Sequence, residues 1–284
     1  MTTSILTLVR GREDHLIRML EGCVSQSQPA DEIIVALMGG TSDHLPSHLA
    51  EACRFISVPG EKLPLAAARN AAADSATGDD LLFLDVDCIP APDFVEHSLR
   101  TRAPHRVLMG DCRYLARGEA EEKDFQTLWA RAERHPARPL PSNDEGSTYL
   151  VPMTEFWSLV FALPKALFED TGGFDEDFIG YGGEDTDFAR RLAQVGAELH
   201  FVPDLRAVHQ WHEVSIPPLQ HFGDIIRNAE LFRRKHGVWC MDYWLGQLKE
   251  RGFIRVERDH IALIKEPSRD ELEAARQPAS VRFS

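Results

Sequence analysis

The carboxylates of Asp85 and Asp87 are the groups in this chain best placed by type and spacing to do chemistry. They stand one residue apart after Leu81-Leu82-Phe83-Leu84, a run bounded by Gly78-Asp79-Asp80 and Ile89-Pro90-Ala91-Pro92. Such a run reads as a buried strand, and strand alternation sends both side chains to one face. Two hard oxygen donors at one point suit Mg²⁺ or Mn²⁺, with phosphate oxygens as co-ligands. Taken alone, an Asp-x-Asp triplet is more often two solvated acids in a turn. A second cluster shifts the balance. Glycines at 172, 173, 180, 182 and 183 precede Glu184, Asp185 and Asp187, after which Phe188, Leu192 and Val195 keep a helical spacing up to Gly196. Acids in a first helical turn complement the macrodipole. That accounts for one or two of them, with Asp187 as a helix cap. Glycines this dense allow close backbone approach, and together with the acids they favour a site. His209 and His212 are three apart and follow an expected strand; a surface role and a metal-binding role are both open to them.

These residues need a scaffold that brings them together. Strands are expected at Ser4–Val9, Glu32–Leu37 and Arg54–Val58, with helices at His15–Cys23 and Leu65–Ala76 between and after them. Strands alternating with helices imply parallel βαβ units. In such sheets ligands collect outside the carboxyl ends of the strands, where Asp85 and Asp87 would emerge. A helix at Phe94–Thr101 and a strand beginning at Arg106–Met109 follow. Residues 118–144 mix acids and bases around Phe125, Leu128 and Trp129 and then become proline-rich, which predicts a short helix and a mobile loop. Phe156–Leu163 reads as a buried strand, Lys165–Thr171 as a helical turn or two, and Leu199–Pro203 as a short strand. Beyond Pro217-Pro218 a long amphipathic stretch carries Phe222, Ile225, Ala229 and Phe232 on a helical period and continues to Trp244 and Leu248. Its Arg227, Arg233, Arg234 and Lys235 read as the solvated face of a packed helix, with contact to an acidic lipid surface as the alternative. Residues after Pro267 read as a polar tail.

Taken in order, the motifs resemble glycosyltransferases of the GT-A fold, from the broad family 2, with a galactosyltransferase-type C-terminal half. Asp85-Val86-Asp87 is similar to the family's DxD metal motif. Gly180-Tyr181-Gly182-Gly183-Glu184-Asp185 resembles the WGGED block of β-1,4-galactosyltransferases and chondroitin-type polymerases. Val9-Arg10-Gly11-Arg12-Glu13-Asp14-His15-Leu16 resembles their FRNRxEHL segment, Ala68-Arg69-Asn70 their ARN element, and Val208-His209-Gln210-Trp211-His212 the site of a late metal-binding histidine. The matches span residues 4 to 215. The resemblance implies an α/β GT-A fold, a Rossmann-like mostly parallel sheet flanked by helices. Residues 1–215 would form the transferase domain, with 1–110 the nucleotide-binding half and 111–215 the acceptor and catalytic half. Residues 216–284 would form a C-terminal helical extension and tail, and the 118–144 loop would lie at the active-site mouth.

The resemblance also implies roles. Asp87, His209 and Asp85 would hold the divalent metal, Mn²⁺ or Mg²⁺. Val9, Arg10, Arg12, Arg69, Asp85, Tyr181 and Gly183 would bind the nucleotide sugar, the arginines meeting its diphosphate. Asp185 would be the general base and Glu184 would hold acceptor or donor hydroxyls, while His212 would stand behind the metal or touch the acceptor. Retaining relatives with a Gly-Gly-Glu block carry Asn after the Glu, so Asp185 favours inversion. Two departures bear on specificity. Many relatives end the second strand with Asp-Asp to hold uracil, whereas here Leu37-Met38-Gly39-Gly40 follows. Tyr181 replaces the tryptophan of WGGED.

Composition narrows the remaining classes. With 31 basic and 45 acidic residues the net charge is −14, which argues against a general nucleic-acid binder. Five cysteines without CxxC spacing fit reduced thiols in a cytosol-like compartment, and Cys88 reads as a small buried residue. Thr2–Val9 is too short for a secretion signal and lacks a cleavage pattern, and no run reaches the ~18 apolar residues of a spanning helix. A cytoplasmic protein is expected, with peripheral contact at the inner face of the membrane as the alternative. The expected function is metal-dependent, inverting transfer of a hexose from a nucleotide-diphosphate sugar, most plausibly a UDP-sugar, to a hydroxyl of a glycan or other acceptor. The alternatives are a non-catalytic carbohydrate-binding scaffold on the same fold and, behind it, a metal-dependent phosphohydrolase or nucleotidyltransferase.

Overall fold

The computed structural model describes residues 2–60, 62–138 and 148–283. The chain begins with β1 (Thr3–Val9), α1 (Glu13–Val24), β2 (Glu32–Leu37), α2 (Ser47–Ala52), β3 (Arg54–Ser57), α3 (Leu65–Ser75) and β4 (Asp80–Leu84). It continues through β5 (Cys88–Pro90), α4 (Phe94–Thr101), β6 (Arg106–Tyr114), α5 (Phe125–Arg131), β7 (Glu133–Arg134), β8 (Tyr149–Val151), β9 (Val160–Pro164) and α6 (Lys165–Thr171). Last come α7 (Glu184–Gln194), β10 (Glu198–His209), α8 (Phe222–His236), α9 (Asp242–Glu250), β11 (Ile254–Val256), β12 (Ile261–Leu263) and α10 (Arg269–Ala275).

The main sheet runs β3-β2-β1-β4-β9-β6-β10-β5, with β7 on β6 and β8 on β10. β3, β2, β1 and β4 are parallel, as are β6 and β10, while β9 lies antiparallel between β4 and β6. Every residue of β1 and β4 is buried, as expected of central strands covered on both faces. On one face α1 packs Leu16, Met19, Leu20 and Cys23, spaced three and four apart. On the other, α3 presents a row of alanines, and behind it Phe83 stacks on Phe161 at 4.5 Å and Phe174 on Phe188 at 4.1 Å. A third apolar cluster joins Phe178 to Phe222, Ile225, Phe232, Leu245, Leu248 and Phe253 of the C-terminal segment.

Several boundaries differ from the sequence expectation. The strand expected to stop at Pro203 runs on to His209, because a register shift between Val202 and Arg206 takes up Pro203, which has no N–H to give the ladder. Gly110 of β6 makes this bulge fit: a Cβ there would collide with the Leu205 carbonyl and come within 2.7 Å of Val160. The strand expected from Phe156 starts only at Val160. The long amphipathic stretch is two helices, broken where Gly237 and Met241 take positive φ. The tail contains α10, started by a capping box between Ser268 and Glu271. The helix expected within 118–144 is α5; the core of the expected mobile loop, 139–147, lies outside the described residues.

Candidate active site

β4 ends at Leu84, so the Asp-Val-Asp triplet sits in the turn between β4 and β5, closed by the Cys88 N–H donating to the Asp85 carbonyl at 2.8 Å. The two carboxylates therefore part, rather than sharing one strand face. Asp85 accepts from the Arg69 guanidinium at 3.3 Å. Asp87 is buried and faces α1, where it accepts from the Arg12 guanidinium and from His15 Nδ1 at 2.6 Å.

The extended β10 brings the histidines to Asp87. His209 pairs across the ladder with Cys88, and the N–H of Gln210 donates to the Asp87 carbonyl at 2.7 Å. The His209 ring is buried and stacks on Tyr114 at 4.6 Å. His212 Nδ1 lies 2.9 Å from the Glu213 carbonyl. A carbonyl can only accept, so Nδ1 carries the proton and Nε2 presents its lone pair, 3.9 Å from Asp87. Ligand atoms of Asp87, His209 and His212 all lie within 4.8 Å of one another. Burial first, and then neighbouring positive charge, holds His212 at a pKa of about 4 and His209 well below its ordinary value. Two neutral imidazoles and one carboxylate are a donor set for a divalent ion, and the nitrogens favour Mn²⁺ over Mg²⁺, which prefers all-oxygen surroundings. Asp85 is not part of this cluster, while His212 is.

The glycine-rich loop joins the Asp-Val-Asp turn through Arg69. Gly180, Gly182 and Gly183 all have positive φ, and Gly183 starts α7 in a left-handed conformation. Between them the Tyr181 ring stacks on His221 at 4.4 Å and Trp244 at 5.3 Å. Glu184 is buried and accepts from Arg69 at 3.1 Å. Arg69, itself buried on α3, thus bridges Asp85 to Glu184 and ties the Asp-Val-Asp turn to the start of α7. Burial, followed by the charge of Asp185, raises Glu184 to about 7, with Arg69 opposing. Asp185 is half-buried, and one of its oxygens accepts from the Thr186 N–H at 2.7 Å.

Asp187 does not cap α7. It is fully buried and meets Arg191 at 2.7 Å, Lys235 at 2.6 Å and His236 at 2.8 Å, which pins α7 to α8. Cys88 is buried as expected, with its sulfur 3.8 Å from that of Cys112.

Arg10 and Val9 lie at the open end of β1. The Val9 carbonyl accepts from the Met38 N–H at 2.9 Å, and Arg10 donates to the carbonyls of Met38 at 2.8 Å and Gly60 at 2.6 Å. Arg12 takes a left-handed backbone, φ 57°, at the start of α1. That conformation is uncommon outside glycine and is often held at functional sites. His15, one helical turn beyond Arg12, was not assigned a role from the sequence. Its signals were its match to the histidine of the FRNRxEHL segment and the i, i+3 spacing from Arg12. Leu37 is buried at the end of β2, where the uracil-binding acid of relatives would stand.

A mostly parallel sheet carrying an Asp-x-Asp turn, a late histidine and a glycine-rich acidic helix start defines the GT-A class. Residues 4–144 match the profile of "Glycosyl transferase family 2", and residues 142–214 match that of "N-terminal domain of galactosyltransferase". The chain is a GT-A protein, family 2-like in its first half and galactosyltransferase-type in the stretch that follows. Validoxylamine A glucosyltransferase of Streptomyces hygroscopicus subsp. jinggangensis is 30% identical over 195 residues, covering 61% of this chain and 44% of the relative. The chain thus spans less than half the length of that relative. Among solved structures, GalNAc-T7 with UDP, GalNAc and Mn²⁺ superposes with a TM-score of 0.56 at 18% identity, covering 88% of this chain and 56% of the other. The mannosyltransferase PcManGT of Pyrobaculum calidifontis, in complex with GDP-Man and Mn²⁺, gives 0.50 at 18% identity, covering 87% and 68%. At these identities the structural likeness speaks to the fold.

Proposed function

We propose that this chain is a divalent-metal-dependent, inverting glycosyltransferase that moves a hexose from a nucleotide-diphosphate sugar, with UDP the expected nucleotide, to a hydroxyl of a glycan or other acceptor. The observation that carries this reading is the convergence of Asp87, His209 and His212 beside Arg12, with Glu184 at the start of α7 tied through Arg69 to Asp85 of the same turn. Asp87, His209 and His212 would hold the ion, which when bound supplies Lewis-acid stabilisation of the departing diphosphate.

The chain's own residues do the rest. Arg12 turns from Asp87 to the diphosphate and offers it charge-assisted hydrogen bonds, while Arg10 borders the nucleotide between the ends of β1 and β2. Arg69 fixes Asp85 and Glu184 so that their oxygens line the donor sugar. Tyr181, held by its stacking on His221 and Trp244, borders that sugar or the acceptor. Asp185 takes the proton of the attacking acceptor hydroxyl on the face of the anomeric carbon opposite the diphosphate.

The test is a product assay with UDP-hexoses and Mn²⁺ that follows UDP release and, where an acceptor is found, the anomeric configuration of the product. Inversion with wild type and loss of transfer in Asp185→Asn, with UDP still bound, are expected. Retention of configuration would contradict the role given to Asp185.

A further inference from the structure

The five residues after β10, Gln210 to Val214, have no regular secondary structure, yet they carry His212 and follow directly on His209. Gln210 secures one side of the segment by accepting from Arg18 at 3.4 Å and donating to the His15 carbonyl at 3.0 Å. The other side is held by a part of the chain distant in sequence. The Ile216 N–H donates to the Ala275 carbonyl at 2.9 Å, Ser215 bridges Arg276, and the Gln277 N–H donates to the Val214 carbonyl at 2.9 Å. Further along, the Trp211 indole donates to the Val281 carbonyl at 2.9 Å. Arg282 donates to the carbonyls of Tyr114 at 3.3 Å and Arg131 at 3.1 Å, and pairs with Glu119 and Glu133. Phe283 meets Tyr114 edge-on at 5.3 Å, and Tyr114 is the ring on which His209 stacks.

We propose that residues 275–283 are a positioning strap for the metal-ligating histidines. This rests on the metal reading above. Among the described residues the strap's contacts beside the site are with no ligand atom; they fall on the backbone and indole flanking His212 and on the ring behind His209, while Arg282 anchors it to Arg131, Glu119 and Glu133. An irregular segment free to sample many conformers would present His212 in the right place only part of the time, and its apparent affinity for the ion would fall by that fraction. By ordering the segment beforehand the strap removes that loss. Groups that orient metal ligands from outside commonly change affinity by about 10- to 100-fold.

The experiment is a Mn²⁺ titration followed by electron paramagnetic resonance, with the metal-free melting temperature recorded for each protein. The proteins are the full chain, a chain ended after Gln277, and the full-length double variant Arg282→Ala/Phe283→Ala. Wild type should bind Mn²⁺; the shortened chain should bind about 10-fold more weakly or worse, and the double variant should weaken in the same direction. Restoring an aromatic ring alone, in Arg282→Ala/Phe283→Tyr, should recover part of the loss. Should the shortened chain not fold, the double variant decides. Equal Mn²⁺ affinity in folded wild type and double variant would overturn the strap while leaving the metal site standing. No Mn²⁺ binding by folded wild type would overturn both.

Discussion

Arg12 and a divalent ion would share one carboxylate, and this sets the order of events at the site. The guanidinium lies on Asp87, the residue that would hold the ion. Replacing Arg12 with alanine should therefore tighten Mn²⁺ binding in the absence of nucleotide and weaken UDP binding by about tenfold or more, the worth of a charge-assisted contact. Calorimetric titration of both ligands on both proteins checks this, and a parallel loss of both affinities would be the wrong result. Glu184 makes a second prediction. Its folded pKa of about 7 exceeds the ordinary 4.5, so its contribution to stability is full below pH about 4.5 and is lost as pH rises through about 7. In Glu184→Gln that loss is absent. The difference between wild-type and variant unfolding free energies across this window should thus slope against wild type with rising pH. At this scale the sequence displayed residue types and spacings but not directions. Asp87 and His209 could be read as candidates, whereas the parting of Asp85 toward Arg69 follows from where β4 stops, and the contact of His15 with Asp87 from the tertiary packing of α1. Neither is written in a local pattern.

At the scale of elements, the tie between α7 and α8 bears directly on the site because Glu184 and Asp185 open α7. Asp187 is fully buried among Arg191, Lys235 and His236. Removing it in Asp187→Ala would leave the largely buried Arg191 guanidinium without its carboxylate partner, and a loss of about 3–5 kcal/mol in denaturant unfolding is expected. Gly110→Ala should also destabilise, by about 1–3 kcal/mol as an overpacked position, because its methyl would press on the bulge that carries β10 to His209. The alternation of β1, α1, β2, α3 and β4 was legible because each has the apolar period of its type. β10 beyond Pro203 was not, since a proline argues against a continuing strand and the bulge that admits it depends on Gly110 in a distant strand. The break between α8 and α9 and the start of α10 did carry local signals, Gly237 in one case and the Ser268–Glu271 spacing in the other. A polar composition masked the second.

At the scale of the whole molecule, a net charge of −14 coexists with the proposed donor site around Arg10, Arg12 and Arg69. Binding of an anionic nucleotide there would rest on local charge and should weaken steadily with ionic strength. Among the described residues no helix is long and apolar enough to cross a membrane. The GT-A architecture was readable from the order of the motifs over residues 4–215. What ties the C-terminal segment to the transferase core, the third apolar cluster and the strap over residues 211–216, arises only from tertiary packing.

If Asp87 anchors a metal-dependent nucleotide site, the thermal shift produced by UDP with and without Mn²⁺ on wild type and Asp87→Ala will show it. Stabilisation of wild type by UDP that requires Mn²⁺, and that is lost in the folded variant, is the predicted result. UDP stabilisation that ignores both the metal and the substitution, or no response to UDP, GDP or dTDP from folded wild type, would contradict it.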